Sequence, residues 1–419
     1  MKTLVAICLV FLSSINITVS AQIDNRTITL DQAIVQVLQH NPQLKIDAYE
    51  ARAIAARIKM AALKPADSVK IEMEDFSGTG DAQFFRGVQT TLSLARILEL
   101  GNKSTYRSNV VKQESYVLRD IQDAERLDLL AETVRRFIQV VVNQEKVTLA
   151  EEALTVIDNT KTIVEKRISA AISPIAERYR IDIDLARLEM ALKHAEHELA
   201  SSKVTLSSMW NVVEPDFDIA SADIFKLDTV LNVEAYVQLL DRNPDLIRLT
   251  TQQRLSDARS QLARIKQKPD IEISGGIRYI GSSDDVGFML SANIPFGTKK
   301  RAAPAIEASE YLGKIDPLAF EQKKTELNVT LYDIYQELSH SKIAVEILQQ
   351  RIIPSAQKAV EDYEKLYSTG RYPLLELVDA QRTLLNSRSQ LLESVANFHR
   401  FRIEIDRLTG ALATTGATP

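Results

Sequence analysis

A single cysteine, a single tryptophan, 13 glycines and 12 prolines are all that the 419 residues hold of these four types. Cys8 is the only thiol, so no disulfide framework exists. Few glycines and prolines over this length leave little punctuation and favour long helices. Aromatics are 6% of the chain, sparse for one large compact core. Neither charge sign dominates: the formal net charge is −5, with both signs mixed along the helical stretches. Nucleic-acid binding calls for a basic stripe, and none is present. Past the first 21 residues, no apolar run approaches the roughly 20 residues of a membrane-spanning helix. Entry into a membrane would have to be as a β-barrel. No Ser/His/Asp set, Gly-rich phosphate loop or pocketed carboxylate pair is present, so neither an enzyme nor a cofactor is expected.

What is present begins with a secretory leader, Met1 to Ala21. Lys2 supplies the basic start, Leu4 to Leu12 the apolar stretch, and Val19-Ser20-Ala21 a small-residue cleavage site. Cys8 lies inside it, too early and after a bulky Ile7 to be a lipidation site. Loss of Lys2 makes the mature charge −5 − 1 = −6.

The most informative stretch is Tyr363 to Gly410. A helix runs into Ser368-Thr369-Gly370, where glycine ends it, and Pro373 opens the next. From there Leu377, Leu384, Leu391, Phe398 and Ile405 recur every seventh position, beside a second row of Val378, Leu385 and Leu392. Heptad spacing held this long predicts coiled-coil packing along the whole helix. Moved back by 199 residues, Pro373 falls on Pro174, and the row falls on Arg178, Leu185, Leu192, Leu199 and Leu206. One long hairpin has been made twice.

The rest of the chain repeats in the same order. Thr29–His40 reads as an amphipathic helix broken by Asn41-Pro42, and Val233–Leu240 as its twin broken by Asn243-Pro244. A second helix then ends before Pro65, or before Pro269. Strand pairs follow at about 68–94 and 270–296, with apolar and polar residues alternating at period two. Val69, Ile71 and Met73 alternate with Lys70, Glu72 and Glu74; Val286, Phe288, Leu290 and Ala292 make one face of the last strand. Strands of nine to eleven residues match a tilted membrane crossing. Helical hairpins are expected at about 101–211 and 305–410, with Pro317 and Pro354 kinking or breaking the second. This gives a first repeat at 22–228 with an irregular link at 212–228, a second at 229–410, and a polar tail at 411–419. Two isolated hairpins are unstable in water, and four strands close no membrane barrel. If the strands span a bilayer, several copies must pool them. The rival is a soluble periplasmic coiled-coil scaffold bearing surface hairpins.

These segments together resemble the outer membrane efflux proteins of the TolC family, in the cation-efflux (CzcC-like) branch. The resemblance rests on ITLDQAIVQVLQHNPQL and its copy VEAYVQLLDRNPDL, on the strand exits LSLARILELGNK and SANIPFGTKKRA, and most on residues 352–410. At the first exit Asn102 and Ser104 depart from that branch's motif. The resemblance implies a mainly α fold with a membrane β-barrel: a homotrimer pooling four strands per chain into twelve, over a periplasmic helical tunnel. It also implies a passive outer-membrane conduit for heavy-metal cations, with antibiotics or other small molecules as the alternative cargo. The implied partners are a periplasmic membrane-fusion adaptor, an inner-membrane pump of the resistance-nodulation-division type, and outer membrane lipid. Pro174, Gly370, Arg371 and Pro373 match the periplasmic tips, where the adaptor docks. Asp182, Asp184 and Asp379 lie within a few turns of the tips and are the acidic candidates for a cation-selecting aperture. His194 and His197, at i and i+3 on one helix, are weak metal-ligand candidates; the plainer reading is a solvated helix face.

Overall fold

The computed structural model describes residues 27–411; the expected leader, 1–21, lies outside them, as does the expected tail from 412 onward. Strand β1, Thr27–Ile28, pairs in parallel with β4, Ile219–Ala220, so the start of the described chain is tied to the link after the first hairpin. Helix α1, Leu30–His40, opens with a capping box, Thr29 and Gln32 satisfying each other's backbone N–H groups. Asn41-Pro42 then starts α2, Pro42–Ala62. In the second repeat α5, Val233–Leu239, leads through a short 3-10 turn to Asn243-Pro244 and α6, Pro244–Ile265.

The two Asn-Pro breaks do the same job twice. Each asparagine side chain caps its helix, Asn41 accepting from Gln43 N–H and Asn243 from Asp245 N–H. Each side-chain amide also donates to a distant carbonyl: Asn41 to Met209 at 2.7 Å and Asn243 to Leu408 at 2.9 Å. Those carbonyls sit where the return helix of each hairpin ends, so one polar side chain closes each repeat on itself.

Four strands form one antiparallel sheet in the order β2-β3-β5-β6: Ser68–Glu74, Gln89–Glu99, Asp270–Ile280 and Asp285–Asn293. The β3–β5 pairing, Leu92 opposite Ile277 and Thr91 opposite Arg278, joins the two hairpins into one surface. Alternation holds in register across all four strands. Val69, Ile71, Leu92, Leu94, Ile277, Phe288 and Leu290 are exposed on one face, while Thr91 and Ser93 are buried on the other. Arg278 crosses the polar face, donating to Thr91 at 3.0 Å and Gln89 at 3.2 Å and pairing with Glu74 at 3.3 Å. Within the chain β2 and β6 are the sheet's edges, each with one paired side.

All long helices leave from one end of this sheet. Helix α3, Lys103–Ser169, is unbroken for 67 residues, about 100 Å at ~1.5 Å per residue. It returns as α4, Ala176–Ser207. The second hairpin descends through α7, Thr298–Ile347, a π-helical turn at Leu348–Ile352 and α8, Ile353–Ser368, then returns as α9, Leu374–Leu408.

Two expectations are corrected here. Helix α7 begins at Thr298, not near 305, because Gly297 takes a left-handed conformation (φ 74°) that turns the chain into the helix four residues after the strand ends. Pro317 does not break α7, and neither does Pro304. Both are exposed, so water can satisfy the carbonyls they leave free, and the carbonyl facing the Pro317 ring belongs to Gly313, which has no side chain to crowd it. Pro354 follows the π-helical turn, so the change of register comes there.

The interior is divided. One cluster at the waist gathers Phe137, Val141, Leu206, Trp210, Ile224 and Val395. A second holds Tyr236, Leu331, Leu338, Phe398 and Ile405, and a third lies above the tips. Several small cores strung along a rod need few large aromatics, in keeping with the composition. Among the described residues no helix is long and apolar enough to cross a membrane.

Candidate functional site: the two hairpin tips

Both turns end their helices in a Schellman motif, in which the residue two past the C-cap bonds back five residues. At the second tip Arg371 N–H reaches the Leu366 carbonyl and Gly370 N–H the Tyr367 carbonyl, each at 2.9 Å. At the first, Ile172 N–H reaches Arg167 and Ala171 N–H reaches Ile168, again at 2.9 Å. The left-handed position is Gly370 (φ 76°) in one and Ala171 (φ 57°) in the other. Pro174 and Pro373 follow three residues on, and Pro174, Gly370, Arg371 and Pro373 are all exposed. These four candidates therefore form a solvent-facing end.

The two tips are bound to each other by residues the sequence reading did not single out. Arg167, in the last turn of α3, lies with its guanidinium carbon 4.4 Å from the centre of the Tyr367 ring. Its Nη1 donates to the Tyr367 carbonyl, and its Nε donates to Ser173 Oγ at 2.9 Å. The Tyr367 hydroxyl donates to Glu177 at 2.7 Å. Tyr367 is fully buried. Burial, and then the hydrogen bond to Glu177, push its phenol up to about 12. Below this knot Tyr363 and Tyr372 meet edge to face at 5.8 Å. Above it Ile157, Val164, Ile181, Leu374, Leu377 and Val378 pack the four helices together. An arginine in the last turn of one helix and a tyrosine in the last turn of its twin were the available signals. Only the fold brings residues 200 positions apart together.

The acidic candidates are not equivalent. Asp182 pairs with Lys161 at 2.9 Å. Asp184 is largely buried, between Arg187 at 3.5 Å and Arg382 at 3.8 Å. It lines a half-open cavity of about 270 Å³ between α3, α4 and α9, with Ile157, Leu188, Gln381 and Arg382. Gln381 closes that seam by donating to Thr160 at 2.8 Å. Asp379 is exposed, and its side chain makes no ion pair or hydrogen bond with another described residue. His194 and His197 are exposed on α4, with His194 Nε2 3.4 Å from Glu198. No group of three His, Cys, Asp or Glu side chains able to hold a metal occurs among the described residues.

A sheet apolar on one face and polar on the other, set on helical hairpins about 100 Å long, is a fold this chain shares with the solved outer-membrane channel OprN, at a TM-score of 0.74 and 17% identity. Residues 235–411 match the outer membrane efflux protein family. Over 387 residues the chain is 23% identical to the cobalt-zinc-cadmium resistance protein CzcC of Cupriavidus metallidurans, covering 91% of this chain and 90% of that protein. It is 22% identical to the cation efflux system protein CusC of Escherichia coli, covering 88% and 83%. A crystal structure of CusC superposes with a TM-score of 0.74 at 18% identity, covering 91% of both chains. The resemblance read from the sequence and the mainly helical fold with few strands are borne out.

Proposed function

We propose that this chain is the outer-membrane channel component of a tripartite efflux system, a passive conduit exporting heavy-metal cations from periplasm or cytoplasm to the outside. One observation carries the reading. The four-stranded sheet presents Val69, Ile71, Leu92, Phe288 and Leu290 on one face and a polar face on the other, and two of its edges are unpaired within the chain. An amphipathic sheet with open edges is stable in a bilayer only when copies close it into a barrel. Three copies supply twelve strands, above the minimum of eight. The apolar face then meets lipid, the polar face lines the pore, and the helices extend about 100 Å into the periplasm.

The chain does no chemistry in this reading. Its tips receive a periplasmic adaptor at Pro174, Gly370, Arg371 and Pro373, and the adaptor couples it to an energised inner-membrane pump. Of the acidic candidates, Asp379 best suits a cation-selecting aperture, because basic neighbours already neutralise Asp182 and Asp184. The metal cargo follows the names of CzcC and CusC.

Deleting the gene and measuring tolerance to cobalt, zinc, cadmium, copper and a panel of antibiotics tests the cargo. Lower tolerance to one or more metals is expected. Loss of antibiotic tolerance alone would assign the same duct to small organic molecules.

A further inference from the structure

The two places where a strand hands over to a long helix differ in charge. At the first, every cation has a partner. Arg96 makes a two-pronged contact with Asp67 at 2.8 and 2.6 Å, Lys103 meets Asp270 at 2.7 Å, and Arg107 meets Glu99. At the second, Lys299, Lys300 and Arg301 fill the first turn of α7, all exposed and with no acidic residue in that turn. None of the three forms an ion pair or side-chain hydrogen bond with another described residue. From Val286 to Ile306 the sequence contains no Asp or Glu.

This placement is unfavourable on its own. The start of a helix carries the positive end of its dipole, where cations are repelled and anions welcome. No side chain caps α7, since its N-cap is Gly297, so its first N–H groups also lack a side-chain acceptor. Three mutually repelling cations at an uncapped positive end call for an external anion. The adjoining surface says which kind. Phe288 and Phe296 are 92% exposed and Leu290 82%, leading along the apolar face of β6 to the basic turn. A free phosphate would meet the cations but leave this apolar face in water. A phospholipid satisfies both, its phosphate on the cations and its acyl chains on the rings.

Resting on the membrane reading above, we propose that Lys299, Lys300 and Arg301 form a binding site for anionic phospholipid headgroups at the periplasmic face of the bilayer, with Phe288, Leu290 and Phe296 receiving the acyl chains. Each chain contributes one such site to the collar of the oligomer. Juxtamembrane basic clusters attract anionic lipid in this way, and exposed aromatics mark the same boundary.

The test uses the full-length oligomer extracted from the outer membrane in detergent. Thermal unfolding is followed while phosphatidylglycerol or phosphatidylcholine is titrated in, for the wild type and for a K299Q/K300Q/R301Q variant. The wild type should bind phosphatidylglycerol about tenfold or more tightly than phosphatidylcholine, and 1 M salt should remove the difference. The variant should lose the preference, and a charge-keeping K299R/K300R/R301K variant should retain it. Equal response of the wild type to the two lipids would overturn the proposal, as would an undiminished preference in the glutamine variant. If that variant fails to assemble, the wild-type salt dependence decides alone. Absence of the chain from the outer membrane would instead defeat the function proposed above, so the two failures are distinguishable.

Discussion

Ala171 occupies, in the first tip, the left-handed position that Gly370 occupies in the second. A Cβ there costs roughly 1 kcal/mol relative to glycine. Ala171→Gly should therefore stabilise the chain by about 0.5–1 kcal/mol, and Gly370→Ala should destabilise it by a similar amount, read from denaturant midpoints. At Gly370 the cause is the backbone alone, since an added Cβ would come no closer than 3.5 Å to Arg167. Asn243 is wholly buried and holds both a cap and the Leu408 carbonyl. Asn243→Ala should cost about 2–3 kcal/mol, the sum of a lost cap and an unsatisfied buried carbonyl, and more than Asn41→Ala at the half-buried twin. Tyr367 gives a pH prediction. Its phenol is pushed up to about 12 from an ordinary 10.0, so the neutral form is favoured in the folded state. That stability is complete below pH 10.0 and is lost as pH rises toward about 12. Tyrosinate absorbance should show a late-ionising phenol that is lost in Tyr367→Phe, and that variant should lose less stability over this alkaline window.

Periodic features at the scale of elements were legible in the sequence. The heptad row of α9 marks buried positions Leu377, Phe398 and Ile405, and strand parity sorts Leu92 and Leu94 from Thr91 and Ser93. Such patterns are local, repeated many times, and survive single exceptions. Contacts made once between distant residues were not legible. Arg167 with Tyr367, and each Asn-Pro asparagine with a carbonyl more than 160 residues away, carry no periodic signature. Single-residue rules failed where context overrode them. Pro317 reads as a breaker, yet α7 runs through it. If α9 is held by its heptad seam, Leu377→Ala should cost about 2–5 kcal/mol. Leu375→Ala, on the exposed side two residues away, should change the unfolding midpoint little.

For the whole molecule, the open sheet and the long rods make sense only together. A single chain leaves two strand edges and an apolar face uncovered, while its helices already hold their own small cores. Assembly at the sheet is therefore what the proposed function requires, and the tips are exposed at the far end. The function proposed for the molecule rests on that division. Fractionating the cell envelope, extracting the protein in detergent and weighing the intact assembly by native mass spectrometry tests it most directly. The account predicts recovery from the outer-membrane fraction as a three-chain assembly. Release of the protein as a monomer into the soluble fraction by osmotic shock would contradict it.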